Sequence, residues 1–117
     1  MDNPFLRRLT RSNTAHGRAS EKRIAKSTGG RLTPGSGAFD GAKADISRGD
    51  ILIECKSTIR ASLSLKYEWL QKITREAKGT NQMPAVTISF VTGSGEAKPD
   101  GDWVLIPKVL FDAAESL

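Results

Sequence analysis

Glu54, Cys55 and Lys56 close the run Ile51–Lys56, a short apolar segment with β-branched residues and turn residues at its borders. That pattern predicts a strand. Alternate residues of a strand point to opposite faces, so Glu54 and Lys56 project together while Ile51, Ile53 and Cys55 line the other face. An acid and a base ending an otherwise apolar strand have a plain structural reading, an edge ion pair worth little. They have a chemical reading if a second carboxylate joins them. Asp45 supplies it, with eight residues intervening before Glu54, on a preceding short strand that a hairpin would lay alongside. Two carboxylates held together repel unless a cation sits between them. Mg²⁺ is the expected cation, with Mn²⁺ as a substitute, because it takes one or two carboxylates together with waters and substrate phosphate. Glu21, the single acid between Asp2 and Asp40, is a candidate third carboxylate. A cation held by Asp45 and Glu54, with Lys56 as a point charge beside it, is equipment for hydrolysing a phosphodiester.

Other chemistries have less to work with. His16 is the one histidine and lies near the basic arm, and no Ser-His-Asp or Cys-His arrangement stands out. Cys55 faces the apolar side and reads as a core residue rather than a nucleophile. Gly35-Ser36-Gly37 lacks the spacing and the Lys-Ser/Thr of a P-loop and reads as a loop near a substrate backbone. Trp69 and Trp103 read as core or interface anchors, and Leu63, Leu65 and Tyr67 as core or dimer contacts.

The elements that must position these residues follow from periodicity and punctuation. Glu21, Ile24, Ala25 and Thr28 fall on one face of a helix expected over Ala15–Thr28, which Gly29-Gly30 ends. Residues 31–46 read as a Gly/Ser/Pro-rich loop running into a short strand near Lys43–Ile46, with a turn at 47–50. A second helix is expected near Ser64–Lys78, with Ser64 as N-cap and Gly79 as C-cap. Its stripe is Leu65, Trp69, Ile73 and Ala77, and the ladder Glu68, Lys72, Glu76 lies outside that stripe. Arg60, Lys66 and Lys72 read either as phosphate contacts or as solvated charges. Strands are expected at Ala85–Val91 and Trp103–Ile106, separated by a polar loop, and a last helix at about Lys108–Glu115 after Pro107. The order predicts an α/β domain, a small mixed β-sheet flanked by helices.

Composition sets the frame. The chain has 117 residues, 38% apolar and 26% charged, which suits one soluble domain over 1–117 and excludes coiled-coil, collagen-like and wholly disordered classes. No apolar run is long enough for a membrane span and no secretion signal is expected. One cysteine leaves no disulfide framework, which points to a reducing, cytoplasmic compartment. Of the net +5, residues 1–31 carry +6 and residues 32–117 carry −1. The positive charge is therefore a basic end, with residues 1–14 as an arm, on a nearly neutral body. Such an end fits a polyanion such as DNA.

Asp45, eight residues, then Glu54-Cys55-Lys56 resembles the D-(x)n-E-x-K signature of the PD-(D/E)xK nuclease superfamily. With the upstream Glu21 helix and the run TGGRLTPGSGAFDGAKADI before LIECKST, residues 18–58 resemble the small Holliday junction resolvases of archaea and phages. The resemblance implies a restriction-endonuclease-like core and a bacterial, archaeal or phage-encoded enzyme of DNA recombination. It implies a homodimer that cuts symmetric strands of a four-way junction. Position by position, it implies Glu21 as the helix carboxylate, Asp45 and Glu54 as metal ligands, the Cys55 carbonyl completing the metal shell, Lys56 as the catalytic lysine and Ser36 near the scissile phosphate. Arg7, Arg8, Arg11, Arg18, Lys22, Arg31 and Ser36 are the expected DNA contacts. Two departures stand. Ala44 precedes Asp45 where the superfamily name has proline, and the Asp-to-Glu spacing is short. Asp40 is the alternative metal aspartate; Asp45 is preferred because Lys43–Ile46 reads as a strand and Phe39-Asp40-Gly41 as a turn. The competing functions are another PD-(D/E)xK endonuclease acting on branched or nicked DNA, a DNA-binding module without catalysis, and a protein-interaction domain.

Overall fold

The structure, a computed structural model, describes residues 15–33 and 45–114. In chain order the elements are α1 (Ala15–Thr28), β1 (Arg31–Leu32), β2 (Ile46–Arg48), β3 (Ile51–Thr58), α2 (Tyr67–Gly79), β4 (Met83–Val91), β5 (Ala97–Leu105) and α3 (Lys108–Ala113). The strands form one five-stranded mixed sheet in the order β1-β2-β3-β4-β5. Neighbours are antiparallel except β3 and β4, which run parallel, with α2 in the crossover between them. The fold is α/β, as the order of elements predicts.

The alternation within β3 builds two cores. Ile53 packs with Ile24 and Ala25 of α1, Ile46 and Ala85, with Ile51 and Cys55 against the same cluster. Leu52 packs on the opposite face with Ile73 and Ala77 of α2 and with Val86. Each buried aliphatic side chain contributes about 2 kcal/mol, so both layers hold β3 against slipping. Slipping by one residue would exchange the faces. Glu54 and Lys56 therefore lie on the α2 side, beyond Leu52.

The end of α1 is as the glycines predict. Gly29 takes a positive φ of 73°, and the Gly30 N–H donates to the Ala25 carbonyl at 3.0 Å. Further along the chain, α1 is docked on the turn between β4 and β5. The Arg23 guanidinium makes a two-pronged ion pair with Asp102, at 2.5 and 2.8 Å, and donates to the Gly95 carbonyl at 3.1 Å. Gly95 has φ 89°, and a Cβ there would lie 2.6 Å from the Ala19 Cβ and 2.9 Å from the His16 carbonyl. Only glycine lets the turn and the helix approach this closely.

Several boundaries differ from expectation. The strand expected at Lys43–Ile46 lies at Ile46–Arg48, so Asp45 immediately precedes it. A two-residue strand, Arg31–Leu32, joins the sheet where a loop is expected. Helix α2 begins at Tyr67, its N-cap is Lys66 rather than Ser64, and Gly79 is its last residue rather than its cap. Leu65 is exposed, so no core contact calls for the extra turn. Strand β5 begins at Ala97, inside the expected polar loop, because an edge strand needs only backbone pairing on one side. Trp103 is 62% exposed, so it is not a core anchor of this chain. Among the described residues no helix is long and apolar enough to cross a membrane.

Candidate active site

The β2–β3 hairpin does what the spacing requires. Ile46 pairs with Ile53, Ser47 with Leu52 and Arg48 with Ile51. The turn Gly49-Asp50 is made possible by a positive φ at Gly49. Asp45 thus arrives beside the Glu54–Cys55 stretch of β3. It is fixed from both sides: its carbonyl accepts from the Thr33 N–H at 2.8 Å, and its carboxylate Oδ2 accepts from the Cys55 N–H at 2.7 Å. The side chain aims into the fold rather than at solvent, and Asp45 and Glu54 are only 4% and 8% exposed.

Burying acids at close quarters disfavours their charged forms. Asp45 is pushed up to about 6, first by burial and then by the neighbouring Glu21 carboxylate, against the pull of the Cys55 N–H and of Lys56 and Lys72. Burial and then Asp45 raise Glu54, opposed by Lys72 and Lys56. Burial and then Glu54 raise Glu21, opposed by Lys56 and Arg18. Three acids from three elements therefore feel one another's charge: Glu21 on α1, Asp45 before β2 and Glu54 on β3. Buried acids that raise one another's pKa are a recurring feature of functional sites.

The basic partners complete the arrangement. Lys56 Nζ lies 3.7 Å from Glu54 Oε1 and 4.4 Å from the centre of the Trp69 ring. The ring face attracts the ammonium and backs it against the sheet, so Trp69 serves the lysine rather than only the core. Lys72 Nζ approaches the same Glu54 Oε1, also at 3.7 Å, and lies 3.8 Å from Glu76 Oε1. Trp69, Lys72 and Glu76 form a second stripe of α2, next to the core stripe of Leu70, Ile73 and Ala77. The ladder spacing of Lys72 and Glu76 was the available signal. It did not tell which sheet face the ladder would meet.

Cys55 lies on the other side of β3. Burial, with the nearby acids, pushes its thiol up to about 12, so it is no nucleophile. Among the described residues, no group of three or more His, Cys, Asp or Glu comes together closely enough to hold a metal ion. The donor set that fits a hard dication is the buried pair Asp45 and Glu54, two oxygen ligands whose raised pKa values mark uncompensated negative charge. This is the small protein share that Mg²⁺ typically takes, with waters and phosphate supplying the rest.

Of the expected DNA contacts, Arg18 and Lys22 are exposed on α1 and Arg31 on β1. Arg7, Arg8, Arg11 and Ser36 lie outside the described residues, as do Asp40 and the arm over 1–14. Arg23, a member of the same basic segment, is committed to Asp102 and Gly95 and serves to seat α1. Comparison with protein-family models, with curated proteins and with solved structures returns no match for this chain.

Proposed function

We propose that this chain is a Mg²⁺-dependent endodeoxyribonuclease that hydrolyses phosphodiester bonds, acting as a homodimer on four-way DNA junctions. One observation carries the nuclease reading. Buried Asp45 and Glu54 carry mutually unfavourable charge, with Glu21 adding to it and Lys56 resting on the Trp69 ring near Glu54. A DNA-binding module without catalysis has no use for buried acids facing a polyanion.

Asp45 and Glu54, with the Cys55 carbonyl, would hold the cation. When bound, it supplies charge neutralisation at the phosphate and eases the ionisation of water. The chain's own residues do the rest. Glu54 and Asp45 are held rigid by β3 and by the Thr33 and Cys55 N–H groups, so no reorganisation is needed as charge develops. Lys56, confined between Glu54 and the Trp69 ring, places a point charge beside the reacting phosphorus. A water oxygen bonds to phosphorus and gives up a proton to solvent, the bond to the leaving sugar oxygen breaks, and that oxygen takes a proton from solvent. Arg18, Lys22 and Arg31 offer exposed positive charge for the flanking backbone. The homodimer reading draws support from apolar side chains left open on β5 and α3: Trp103, Val104, Val109 and Phe111 are 62%, 63%, 70% and 55% exposed.

The test incubates the protein with a labelled four-way junction and the matching linear duplex, in Mg²⁺ or EDTA, beside Glu54→Gln. Paired symmetric nicks on the junction alone, lost in EDTA and in the variant, are the expected result. Cutting of both substrates retains the nuclease and removes junction selectivity. Tight binding without cleavage in Mg²⁺ or Mn²⁺ would sink the catalytic assignment.

A further inference from the structure

Two lysines share one carboxylate oxygen in this site. Lys56, from the strand, and Lys72, from the helix above it, each place Nζ 3.7 Å from Glu54 Oε1. A charge-assisted hydrogen bond would be about 2.8 Å, so neither ammonium is locked onto the acid. Lys56 has the ring of Trp69 to rest on. Lys72 has Glu76, one turn further along α2, at 3.8 Å. The Lys72 side chain is 30% exposed against 11% for Glu54, so the lysine is the more open of the two partners.

The charges say what this lysine is for. Asp45 and Glu54 carry −2 when ionised, which one divalent cation cancels. Glu54 then no longer needs two ammonium partners, and Lys56 and Lys72 are left facing whatever else enters. The entering group is a phosphodiester, with one negative charge and two free oxygens. The position of Lys72 is set by a helix packed through Ile73 and Ala77, not by a loop, so its reach is defined before substrate arrives.

We propose that Lys72 is a second phosphate-contacting lysine of this site, held on Glu54 until that carboxylate is claimed by a cation, with Glu76 as its positioning residue. The inference rests on the nuclease reading given above and adds a residue to it. It makes two demands that a surface charge would not meet. Removing Lys72 removes a competitor for Glu54, so cation affinity is unchanged or rises. Removing it also takes a charge from the phosphate, so cleavage slows even when cation is saturating.

The test compares wild type with Lys72→Met, which keeps the stem and its helix propensity, and with Lys72→Arg, which keeps the charge. Mn²⁺ binding to the DNA-free proteins is followed by electron paramagnetic resonance, and single-turnover junction cleavage is timed at saturating Mg²⁺. The expected result for Lys72→Met is Mn²⁺ binding at least as tight as wild type, with cleavage slowed roughly 10- to 100-fold, as for loss of one positioned transition-state contact. Lys72→Arg is expected to recover most of the rate. Cleavage by Lys72→Met at the wild-type rate would overturn the role of Lys72 and leave the nuclease reading intact. Weaker Mn²⁺ binding by Lys72→Met would overturn it as well, since the lysine would then be supporting the cation site. If wild type cleaves no DNA, the underlying reading fails and this inference with it. Should Lys72→Met lose its fold, Lys72→Gln is judged by the same two readouts.

Discussion

Replacing Asp45 with Asn should make the cation-free protein more stable at neutral pH while removing cleavage. Asp45 is held at about 6 against an ordinary 3.8, chiefly because it is buried. A rise from 3.8 to about 6 corresponds to about 3 kcal/mol of preference for the neutral form. The folded-state pKa is raised, so the associated stability is fully present below pH 4 and is lost as pH rises through 6. At pH 7.5 wild type bears the whole cost. Asn is neutral and nearly isosteric, and its carbonyl oxygen can still accept the Cys55 N–H that Asp45 accepts at 2.7 Å. Its amide group needs a partner of its own, which reduces the net gain to about 2 kcal/mol. For a chain of this size that is a rise in Tm of roughly 8 °C. The assay is urea or thermal unfolding in EDTA at pH 5 and pH 7.5, followed by tryptophan fluorescence. The variant should gain most at pH 7.5 and show a flatter dependence on pH. Saturating Mg²⁺ should stabilise wild type, by about 3 kcal/mol at 100 times its Kd, and leave the variant unmoved. A variant less stable than wild type at pH 7.5 in EDTA would refute the claim that Asp45 carries uncompensated charge.

Three further outcomes follow from the same geometry. Lys56→Met should retain its fold and its junction affinity in Ca²⁺ but lose roughly 100- to 1000-fold in single-turnover cleavage rate. Cys55, with its thiol pushed up to about 12, should resist iodoacetamide at pH 8 in the native protein and react at once in urea; mass spectrometry reads the difference. Gly95→Ala places a methyl group 2.6 Å from the Ala19 Cβ in a positive-φ conformation. It should cost about 3 kcal/mol in urea unfolding.

The residues that build the site were legible where a local rule decides them. Alternation along β3 places Ile53 and Leu52 in separate cores and Glu54 beside Lys56. The glycine pair after Thr28 ends α1 where expected, because a positive φ is a local property. The hairpin needed only a short connection, so the approach of Asp45 to Glu54 follows even though the strand itself sits at Ile46–Arg48. What sequence did not decide was anything set by a distant partner. The run Ala97–Asp102 is as polar as a loop, yet pairs as an edge strand because β4 offers it a ladder. The ladder through Lys72 and Glu76 looks the same whether it faces water or the buried Glu54. Only the placement of α2 over β3 makes Lys72 part of the site. Arg23 resembles the other bases of its segment until Asp102, far along the chain, is brought to it.

That last contact has a consequence for how the molecule comes to be. Arg23 meets Gly95 and Asp102 across separations of 72 and 79 residues. The same helix carries Glu21. A nascent chain that has emerged only as far as α2 already contains Glu21, Asp45, Glu54, Lys56 and Lys72. It lacks β4, which flanks β3, and the β4–β5 turn on which α1 is seated. Contacts of such long sequence separation form late, so this cluster of acids and lysines is assembled only once β5 has left the ribosome, and shorter translation products carry the same residues without their arrangement.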